Sequence, residues 1–334
     1  MSQIFESLQN RQQIQQITSD WKLTPATFAH RISRGQWIPA PHLMYISSRV
    51  AKGIAKGNAR IIISAPPRHG KSQLSSIYTP AWVLERFPQY KTILAGYGAE
   101  LTTGFSRQVR DMFIDDANQH LLTTRVRKDA SRVEAFLTEQ GGGMYAVGLG
   151  GAITGRGAHV LLIDDYIKEI KEALSPSYRD YIWNWFVTTA FTRLEPGVSC
   201  IIIASRWHSD DLIGRILVNL AHEGWEYIEI PAIAEENDLL GRPVGAPLFP
   251  ERYPLDRLQE LQLTLGSVFF QALYQQKPVD ESRKMTDGNW LKIIDSIPIQ
   301  EKNAYKWARI WDLAATEGGG DYTVGTLMGY NQAT

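Results

Sequence analysis

The chain has 334 residues, with 35 basic and 35 acidic side chains, so its formal net charge is zero. At about 100–200 residues per domain, this length predicts two domains or one large domain with an appendage. Hydrophobic residues make up 44% and charged residues 21%, which excludes a largely disordered or collagen-like chain. The neutral balance excludes a chain-wide basic field for nucleic acid, so such binding would depend on local patches.

The cysteine content and the hydropathy pattern indicate in which cellular compartment the chain is expected. The single cysteine, Cys200, excludes an internal disulfide and a multi-thiolate zinc site, which fits a reducing compartment. No run approaches the ~18 apolar residues of a membrane span, and the polar N-terminus lacks the pattern of a secretory signal. We therefore expect neither membrane insertion nor export.

The first 60 residues are basic, with eight basic side chains against two acidic ones. The charges are spread out rather than clustered, so two readings stay open. The excess either faces nucleic acid or a partner, or it forms a solvated helical face.

From residue 60, short apolar runs alternate with amphipathic stretches, which is typical of a largely parallel sheet covered by helices. The apolar runs predict strands at RIIISA (60–65), KTILAGY (91–97), HVLLID (159–164) and VSCIIIAS (198–205).

After Pro231 the sequence becomes rich in proline and glycine, which predicts a connector. A short helix, LDRLQELQLTLG, and an apolar-aromatic stretch follow, and two strands, YKWARIWDLA and DYTVGTLMGYN, are predicted near the end. The predicted organisation is an N-terminal helical segment (1–59), an α/β core (60–232), a linker subdomain (233–304) and terminal strands (305–334).

The segment IIISAPPRHGKSQ predicts a strand, a tight turn and a helix that begins near Gly70. Backbone N–H groups at such a helix N-terminus point at phosphate oxygens, Lys71 can reach the β/γ-phosphates, and the Ser72 hydroxyl can ligate Mg²⁺. Ala65 stands where the usual pattern has glycine, and the alternative is an ordinary strand–turn–helix corner. The predicted nucleotide-binding residues of this turn are Pro66, Pro67, Arg68, His69, Gly70, Lys71 and Ser72.

Asp164 ends the predicted strand HVLLID, and Asp165 follows it. After a phosphate-binding loop, the first acid would hold Mg²⁺ and the second would orient the attacking water. Most hydrolytic ATPases have glutamate at the second position, and aspartate has a shorter reach. Taken alone, such a pair is often a helix N-cap.

Hydrolysis also needs positive charge at the γ-phosphate. Arg68 lies within the phosphate-binding turn, and Arg156 lies in the glycine-flanked sequence ITGRGAH. Arg68 could act within its own subunit, and Arg156 could reach a neighbour's nucleotide in a ring or be a surface turn residue.

The segment ASRWHSDDL follows the last core strand, at the sheet edge where open α/β folds bind ligands. Ser205 at this edge could sense the γ-phosphate and relay its loss. Asp210 and Asp211 are predicted to cap the next helix, and His208 is predicted to be a hydrogen-bonded structural residue.

Together these residues resemble the large subunit of the terminase that packages DNA into tailed-bacteriophage heads. The resemblance rests on APPRHGKS, ITGRGAHVLLIDD, ASRWHSDDLIGRIL and LFPERYPLDRLQELQLTLGSVFFQALYQQKPV, and it runs from about residue 35 to the end. The phosphate-binding turn is generic, whereas RWHSDDL and F-x-x-x-Y-Q-Q-x-P together are specific to this kind of motor.

The resemblance implies a P-loop NTPase fold of the ASCE type, a small linker subdomain and a fragment of an RNase H-like nuclease domain. It implies ATP and Mg²⁺ as cofactors, with Trp37 and His42 packing around the adenine and Ser205 in a coupling motif. Asp312 resembles the first nuclease carboxylate and Asp321 a helper. A complete nuclease site would take two Mg²⁺ or Mn²⁺ ions, and its other acids would come from strands that this chain lacks.

The implied function is ATP-driven translocation of double-stranded viral DNA into a procapsid, by a ring that contacts the terminase small subunit and the portal protein in the host cytoplasm. Two other functions stay open on the residues alone. One is a small-molecule P-loop kinase, which leaves the connector unexplained, and the other is a nucleotide-switched binding module.

Overall fold

The computed structural model describes residues 20–151, 153, 157–193, 197–278, 305–312 and 324–331. These residues fall into two compact units, one before residue 282 and one after it. The finer boundaries predicted from the sequence, at residues 59, 232 and 304, stay a prediction.

Three helices of the first unit are capped by a side chain at the N-terminus. Thr24 caps α1 with a reciprocal capping box, Ser175 caps α6, and Asp211 caps α7 by accepting from the Gly214 N–H at 2.8 Å, as predicted for that acid. The α-helices are α1 (Pro25–Ile32), α2 (Pro41–Lys56), α3 (Thr79–Arg86), α4 (Ala99–Ile114), α5 (Ile170–Leu174), α6 (Pro176–Trp185), α7 (Leu212–Asn219) and α8 (Leu255–Leu273). A π-helical segment, Gln73–Tyr78, precedes α3, and another, Phe186–Ala190, follows α6.

Eight of the described strands form one sheet, in the order β3-β4-β5-β2-β6-β7-β1-β8. The strands from β5 to β8 in that order are parallel, and β3, β4 and β5 pair antiparallel. Strand β7 lies between β1, which leads into the phosphate-binding turn, and β6, which ends in the acids. The strands are β1 (Arg60–Ser64), β2 (Lys91–Gly96), β3 (Val126–Ser131), β4 (Ala135–Thr138), β5 (Gly143–Gly148), β6 (Val160–Asp164), β7 (Ser199–Ala204) and β8 (Glu226–Glu229).

The central strands are buried on both faces, which explains their continuous apolar runs. Ile61 and Ile63 pack into the hydrophobic core on one face of the sheet, and Ile62 packs into the core on the other. Cys200 is fully buried among the side chains around Ile62, and this burial raises the pKa of its thiol to about 12. The predicted α/β sheet, with helices on both faces, is therefore confirmed.

Two features differ from the simple alternation of strands and helices. The antiparallel strands β3–β5 were not predicted, because β3 carries charged, exposed side chains and presents no apolar run. The predicted short helix continues through the apolar-aromatic stretch as α8, which is kinked at Gly266. Gly266 has φ +74°, a conformation that few other residues adopt without strain.

The second unit contains a two-stranded antiparallel ribbon, β9 (Tyr305–Asp312) and β10 (Val324–Asn331), in which Asp312 pairs with Val324. Both strands were predicted, and their assignment to an RNase H-like domain stays a prediction. Large apolar side chains on the ribbon are exposed: Trp307, Ile310, Leu327 and Met328. Among the described residues, no helix has the length and apolar character needed to cross a membrane.

Candidate nucleotide-binding site

The phosphate-binding turn starts where β1 ends and is fixed to the neighbouring strand. The Ala65 N–H donates to the Ala204 carbonyl at 3.3 Å, and helical structure begins at Lys71. Arg68 and Gly70 have φ of +63° and +88°, so the chain reverses through the left-handed region. The φ of Gly70 therefore favours glycine, and a Cβ there would also lie 2.9 Å from Leu43 Cδ1, so the leucine side chain would have to shift.

Two buried histidines hold the turn from behind. The ring Nδ1 of His69 bonds the Pro67 carbonyl at 2.8 Å, and the ring Nε2 of His42 bonds the His69 carbonyl at 2.8 Å. Both bonds require the ring nitrogen to carry a proton and donate it. Burial lowers the pKa of His42 to about 3 and that of His69 to about 4, so both rings are neutral near pH 7.

The connector also packs against this turn. The Tyr253 ring stacks on His69 with centroids 4.7 Å apart, and the Phe249 ring meets His42 edge-on at 5.4 Å. Arg252 Nη1 donates to the Arg68 carbonyl at 3.4 Å. The conformation of the phosphate-binding turn therefore depends on residues that lie about 180 positions further along the chain.

Asp164 is the last residue of β6 and is 2% exposed. The Ser72 hydroxyl donates to its Oδ1 at 3.3 Å, and the Ser76 hydroxyl donates to its Oδ2 at 2.6 Å. Burial and the neighbouring Asp165 charge raise the pKa of Asp164 to about 7, against the lowering effects of Lys71 and the two hydroxyls. The carboxylate is thus held beside Ser72 in a site that favours added positive charge.

Asp165 connects the lysine of the turn to the end of β7. Its Oδ2 lies 3.2 Å from Lys71 Nζ, and its Oδ1 accepts from the Ser205 N–H at 3.2 Å. Asp165 has φ +36°, a left-handed conformation that is uncommon for a residue other than glycine. Its own N–H donates to the Ile203 carbonyl at 2.9 Å, which fixes the backbone there.

Ser205 completes the cluster at this sheet edge. Its hydroxyl donates to the Ala65 carbonyl at 3.1 Å, and the residue is 4% exposed. The predicted residues Lys71, Ser72, Asp164 and Asp165 therefore meet Ser205 where β1, β6 and β7 end. Because the ends of parallel strands share one edge, the sheet order brings these residues together.

Other predicted residues have different surroundings. Trp37 is 7% exposed, and its ring meets Tyr78 edge-on at 5.6 Å. Arg68 is exposed, and His208 Nδ1 accepts from the Asp210 N–H at 2.9 Å, as expected of a structural histidine. The adenine-packing role of Trp37 and His42 stays a prediction.

Three predicted residues lie wholly or partly outside the description. Arg156 and Asp321 fall outside the described residues, and so does the side chain of Asp312. Asp312 ends β9, as predicted for the first nuclease acid. No group of three or more His, Cys, Asp or Glu side chains that could hold a metal ion occurs within the described part of the chain.

Sequence reasoning missed two residues at this edge. Ser76 lies four positions after Ser72 on a helix, and this spacing, which places two side chains on one face, was a usable signal. Gln276 contacts the turn after β7 through the Arg206 N–H, and no local pattern points to such a distant contact.

Solved structures of phage large terminases resemble the chain. The large terminase of a thermophilic bacteriophage in complex with ATP-γ-S has 14% identity and TM-score 0.39, over 66% of this chain and 47% of that one. The HK97 bacteriophage large terminase has 15% identity and TM-score 0.48, over 80% and 57%. A Thermus phage P74-26 large terminase ATPase domain has 14% identity and TM-score 0.40, over 69% and 93%.

The chain thus spans about half the length of the first of these large terminases. A search of curated protein sequences found no match. The model of the family described as "terminase large subunit, T4likevirus-type, N-terminal" matches residues 62–310, from β1 into β9. This match covers the phosphate-binding turn, both acids, Ser205 and the connector, and the chain therefore belongs to the terminase large subunit family.

Proposed function

We propose that this chain is the ATP-hydrolysing motor of a phage terminase large subunit, which moves double-stranded DNA into a procapsid. The meeting of Lys71 and Ser72 with Asp164, Asp165 and Ser205 at one sheet edge carries the proposal. A helix N-terminus, a lysine, a hydroxyl and two acids are the groups that recognise and hydrolyse a nucleoside triphosphate.

ATP would bind with its phosphates over the turn from Pro66 to Gly70. The backbone N–H groups of this turn and the helix N-terminus bind the phosphate oxygens, and Lys71 leaves Asp165 for the β/γ-phosphates. Arg68, which is exposed on the turn, adds positive charge within the subunit.

Mg²⁺ fits the oxygen donors present. The Ser72 hydroxyl and the Asp164 carboxylate lie 3.3 Å apart and would hold the ion together. Proteins usually bind Mg²⁺ through one or two carboxylates plus substrate phosphates and water, so a larger cage of acids is unnecessary. When bound, the ion neutralises charge on the β- and γ-phosphate oxygens.

Asp165 would then orient and deprotonate the water that attacks the γ-phosphate in line. The Ser205 N–H holds Oδ1 of Asp165, which leaves Oδ2 for the water once Lys71 has moved to the phosphates. Ser205 would sense the γ-phosphate through Asp165 and the Ala65 carbonyl.

The remaining roles are those that the resemblance to phage large terminases implies. Arg156 would act on the nucleotide of a neighbouring subunit in a ring, Trp37 and His42 would lie on the adenine side, and Asp312 would begin the nuclease site. The small subunit, the portal protein and double-stranded DNA would be the partners, with the motor docked on the procapsid in the host cytoplasm.

A phosphate-release assay with and without linear duplex DNA tests the motor. Stimulation by DNA supports it, DNA-independent transfer to a small acceptor would indicate a kinase, and absence of turnover would indicate a nucleotide switch. For Arg156, a mixture of Arg156→Ala and Asp164→Ala proteins should regain part of the turnover that each lacks. No rescue at any mixing ratio would contradict an arginine supplied between subunits.

A further inference from the structure

The two residues that follow β7 contact different parts of the molecule. Ser205 faces the nucleotide site, where its N–H donates to Asp165 and its hydroxyl donates to the Ala65 carbonyl. Arg206 faces the connector, since its N–H donates to Gln276 Oε1 at 3.2 Å. The peptide unit between Ser205 and Arg206 therefore links the catalytic edge of the sheet to Gln276, which lies 70 positions further along the chain.

The Gln276 amide has only one orientation that satisfies its neighbours. Its Oε1 accepts from the Arg206 N–H, and its Nε2 donates to the Leu273 carbonyl at the end of α8. Flipping the amide would set a donor against a donor and an acceptor against an acceptor. Gln276 is 1% exposed, so water offers no alternative partner for its amide. This contact therefore fixes the backbone of Arg206.

Gln276 also has φ +61°, in the left-handed region. A residue other than glycine in this region is sterically strained, and such residues persist where their surroundings hold them. Arg68 and Asp165, both at the nucleotide site, also have positive φ. The side chain of Gln276, which glycine lacks, provides the contacts that offset this strain.

The side chain of Arg206 anchors the same turn from another direction. Its Nε donates to Asp211 Oδ2 at 2.8 Å, and its Nη1 donates to the Tyr227 hydroxyl at 3.3 Å. That hydroxyl lies 2.9 Å from the hydroxyl of Ser64, the last residue of β1. The turn is thus held by α7, β8 and β1 through the arginine side chain, and by the connector through its backbone.

The neighbouring Gln275 provides a natural contrast. It is 5% exposed and exchanges two hydrogen bonds of 3.0 Å with the backbone of Ile233. Its Nε2 also lies 3.1 Å from Glu235 Oε1. Both glutamines therefore join the end of α8 to other parts of the first unit through buried amides. The contacts of Gln275 are with the chain after β8, and Gln276 contacts the catalytic turn.

We propose that Gln276 is a positioning residue for ATP hydrolysis, supplied by the connector. By fixing the Arg206 backbone it sets the Ser205 N–H and hydroxyl, which in turn hold Asp165 and the start of the phosphate-binding turn. The proposal rests on the ATPase function proposed above. It assigns to the Y-Q-Q segment two separate tasks, attachment by Gln275 and catalytic positioning by Gln276.

The test compares Gln276→Asn with Gln275→Asn in the full chain. Each change keeps an amide but shortens it by one methylene, and asparagine tolerates positive φ, so Gln276→Asn keeps the backbone conformation. We expect Gln276→Asn to lower the kcat of ATP hydrolysis about 10-fold with KM within twofold, because a small displacement of catalytic groups affects mainly the transition state. Gln275→Asn should lower the urea unfolding midpoint and leave kcat within twofold.

A double variant that combines Gln276→Asn with Ser205→Ala tests whether the two residues act through the same turn. If both residues act through one turn, the double variant Ser205→Ala with Gln276→Asn loses less kcat than the product of the single losses. Equal kcat losses in the two glutamine variants, or fully multiplicative losses with Ser205→Ala, would overturn the positioning role. If Gln276→Asn does not fold, Gln276→Met, which keeps the length of the side chain and removes both hydrogen bonds, takes its place: a kcat loss of threefold or more supports the role, and a smaller loss overturns it.

Failure of the proposed ATPase function can be distinguished from failure of the positioning role of Gln276. If the unmodified chain releases no phosphate from ATP, both the motor and this role for Gln276 are wrong. Turnover in the unmodified chain, with no difference between the glutamine variants, leaves the motor standing and removes only the positioning role.

Discussion

Two of the described strands end in aspartate, and their surroundings differ. Strand β6 ends at Asp164 between β2 and β7, with every residue buried, whereas β9 ends at Asp312 in a ribbon paired with β10. Burial and the adjacent Asp165 charge raise the pKa of Asp164, and two serine hydroxyls orient its carboxylate. The large apolar side chains described on the ribbon are exposed.

The comparison indicates what makes a strand-end acid reactive. The carboxylate is common to both strand ends. At the end of β6, burial desolvates Asp164, the Ser72 and Ser76 hydroxyls donate to it, and Lys71 pairs with the next residue, Asp165. At the same edge of the sheet, Arg68 and Asp165 have left-handed backbone conformations, which are uncommon for residues other than glycine.

A large effect is expected at Asp165. Asp165→Asn removes the base and the charge opposite Lys71 while keeping an acceptor for the Ser205 N–H. We expect kcat for ATP hydrolysis to fall by about 100-fold, the lower end of general-base contributions, with nucleotide affinity retained. Phosphate release and equilibrium binding of ATP-γ-S measure the two quantities. Glu100→Gln, on an exposed helical turn, is the control, and an equal loss there would contradict the assignment.

Two adjacent serines, Ser75 and Ser76, allow the orientation of the Asp164 carboxylate to be tested separately from the loss of a hydroxyl on the same helix. Ser76 donates to Asp164 Oδ2, whereas the hydroxyl of Ser75 donates to the Lys71 carbonyl on its own helix. Ser76→Ala should raise the Mg²⁺ concentration needed for half-maximal ATPase rate about fivefold and lower stability by about 1 kcal/mol. Ser75→Ala should leave the Mg²⁺ requirement unchanged. The measurement is the ATPase rate of each variant against Mg²⁺ concentration at saturating ATP. Identical titration curves for Ser75→Ala and Ser76→Ala would refute the role of Ser76.

His42 makes stability depend on pH. Its pKa in the folded chain, about 3, lies below the ordinary histidine value of 6.5, so the unfolded chain binds more protons between these values. The contribution of His42 to the free energy of unfolding is therefore fully present above pH 6.5, and it decreases as the pH falls from 6.5 to about 3. At about 1.4 kcal/mol per unit, the cost at pH 5 is about 2 kcal/mol.

The variant His42→Gln keeps a donor for the His69 carbonyl but does not titrate. It should reduce the difference in urea unfolding free energy between pH 7 and pH 5 by that amount. His120→Gln, at an exposed position, should leave the difference unchanged. A pH dependence in His42→Gln equal to that of the unmodified chain would show that His42 is not the group responsible.

The smallest effect is expected on the ribbon. Asp312→Asn changes the acid that ends β9, and we expect ATPase kcat and the unfolding midpoint of the first unit to stay within experimental error. The physical reason is that β9 belongs to a separate compact unit. A kcat loss of more than threefold would show that this acid acts on ATP hydrolysis, and would remove the contrast with Asp164.

Much of the catalytic edge was predictable from local sequence. Continuous apolar runs identified β1, β2, β6 and β7, because strands buried on both faces need apolar side chains throughout. The acids and the phosphate-binding turn follow such runs directly. Since parallel strands end at one edge, the meeting of Lys71 with Asp165 followed from the pattern.

Contacts between distant segments were not predictable. The role of His42 behind the turn, the stacking of Tyr253 on His69 and the bond from Arg206 to Gln276 depend on how the connector packs, and no periodicity encodes that. The antiparallel strands β3–β5 were missed because solvent-facing charged residues occupy β3, so its pairing depends on the neighbouring strand.

The most direct measurement of the central claim is ATP turnover by Lys71→Ala beside the unmodified chain, at matched concentrations of folded protein. Lys71 is 7% exposed and 3.2 Å from Asp165, so its truncation removes the cation that the phosphates require. The account predicts that phosphate release in Mg²⁺-ATP is lost while the urea unfolding transition persists. An unchanged turnover rate in Lys71→Ala would contradict the nucleotide site at this edge of the sheet.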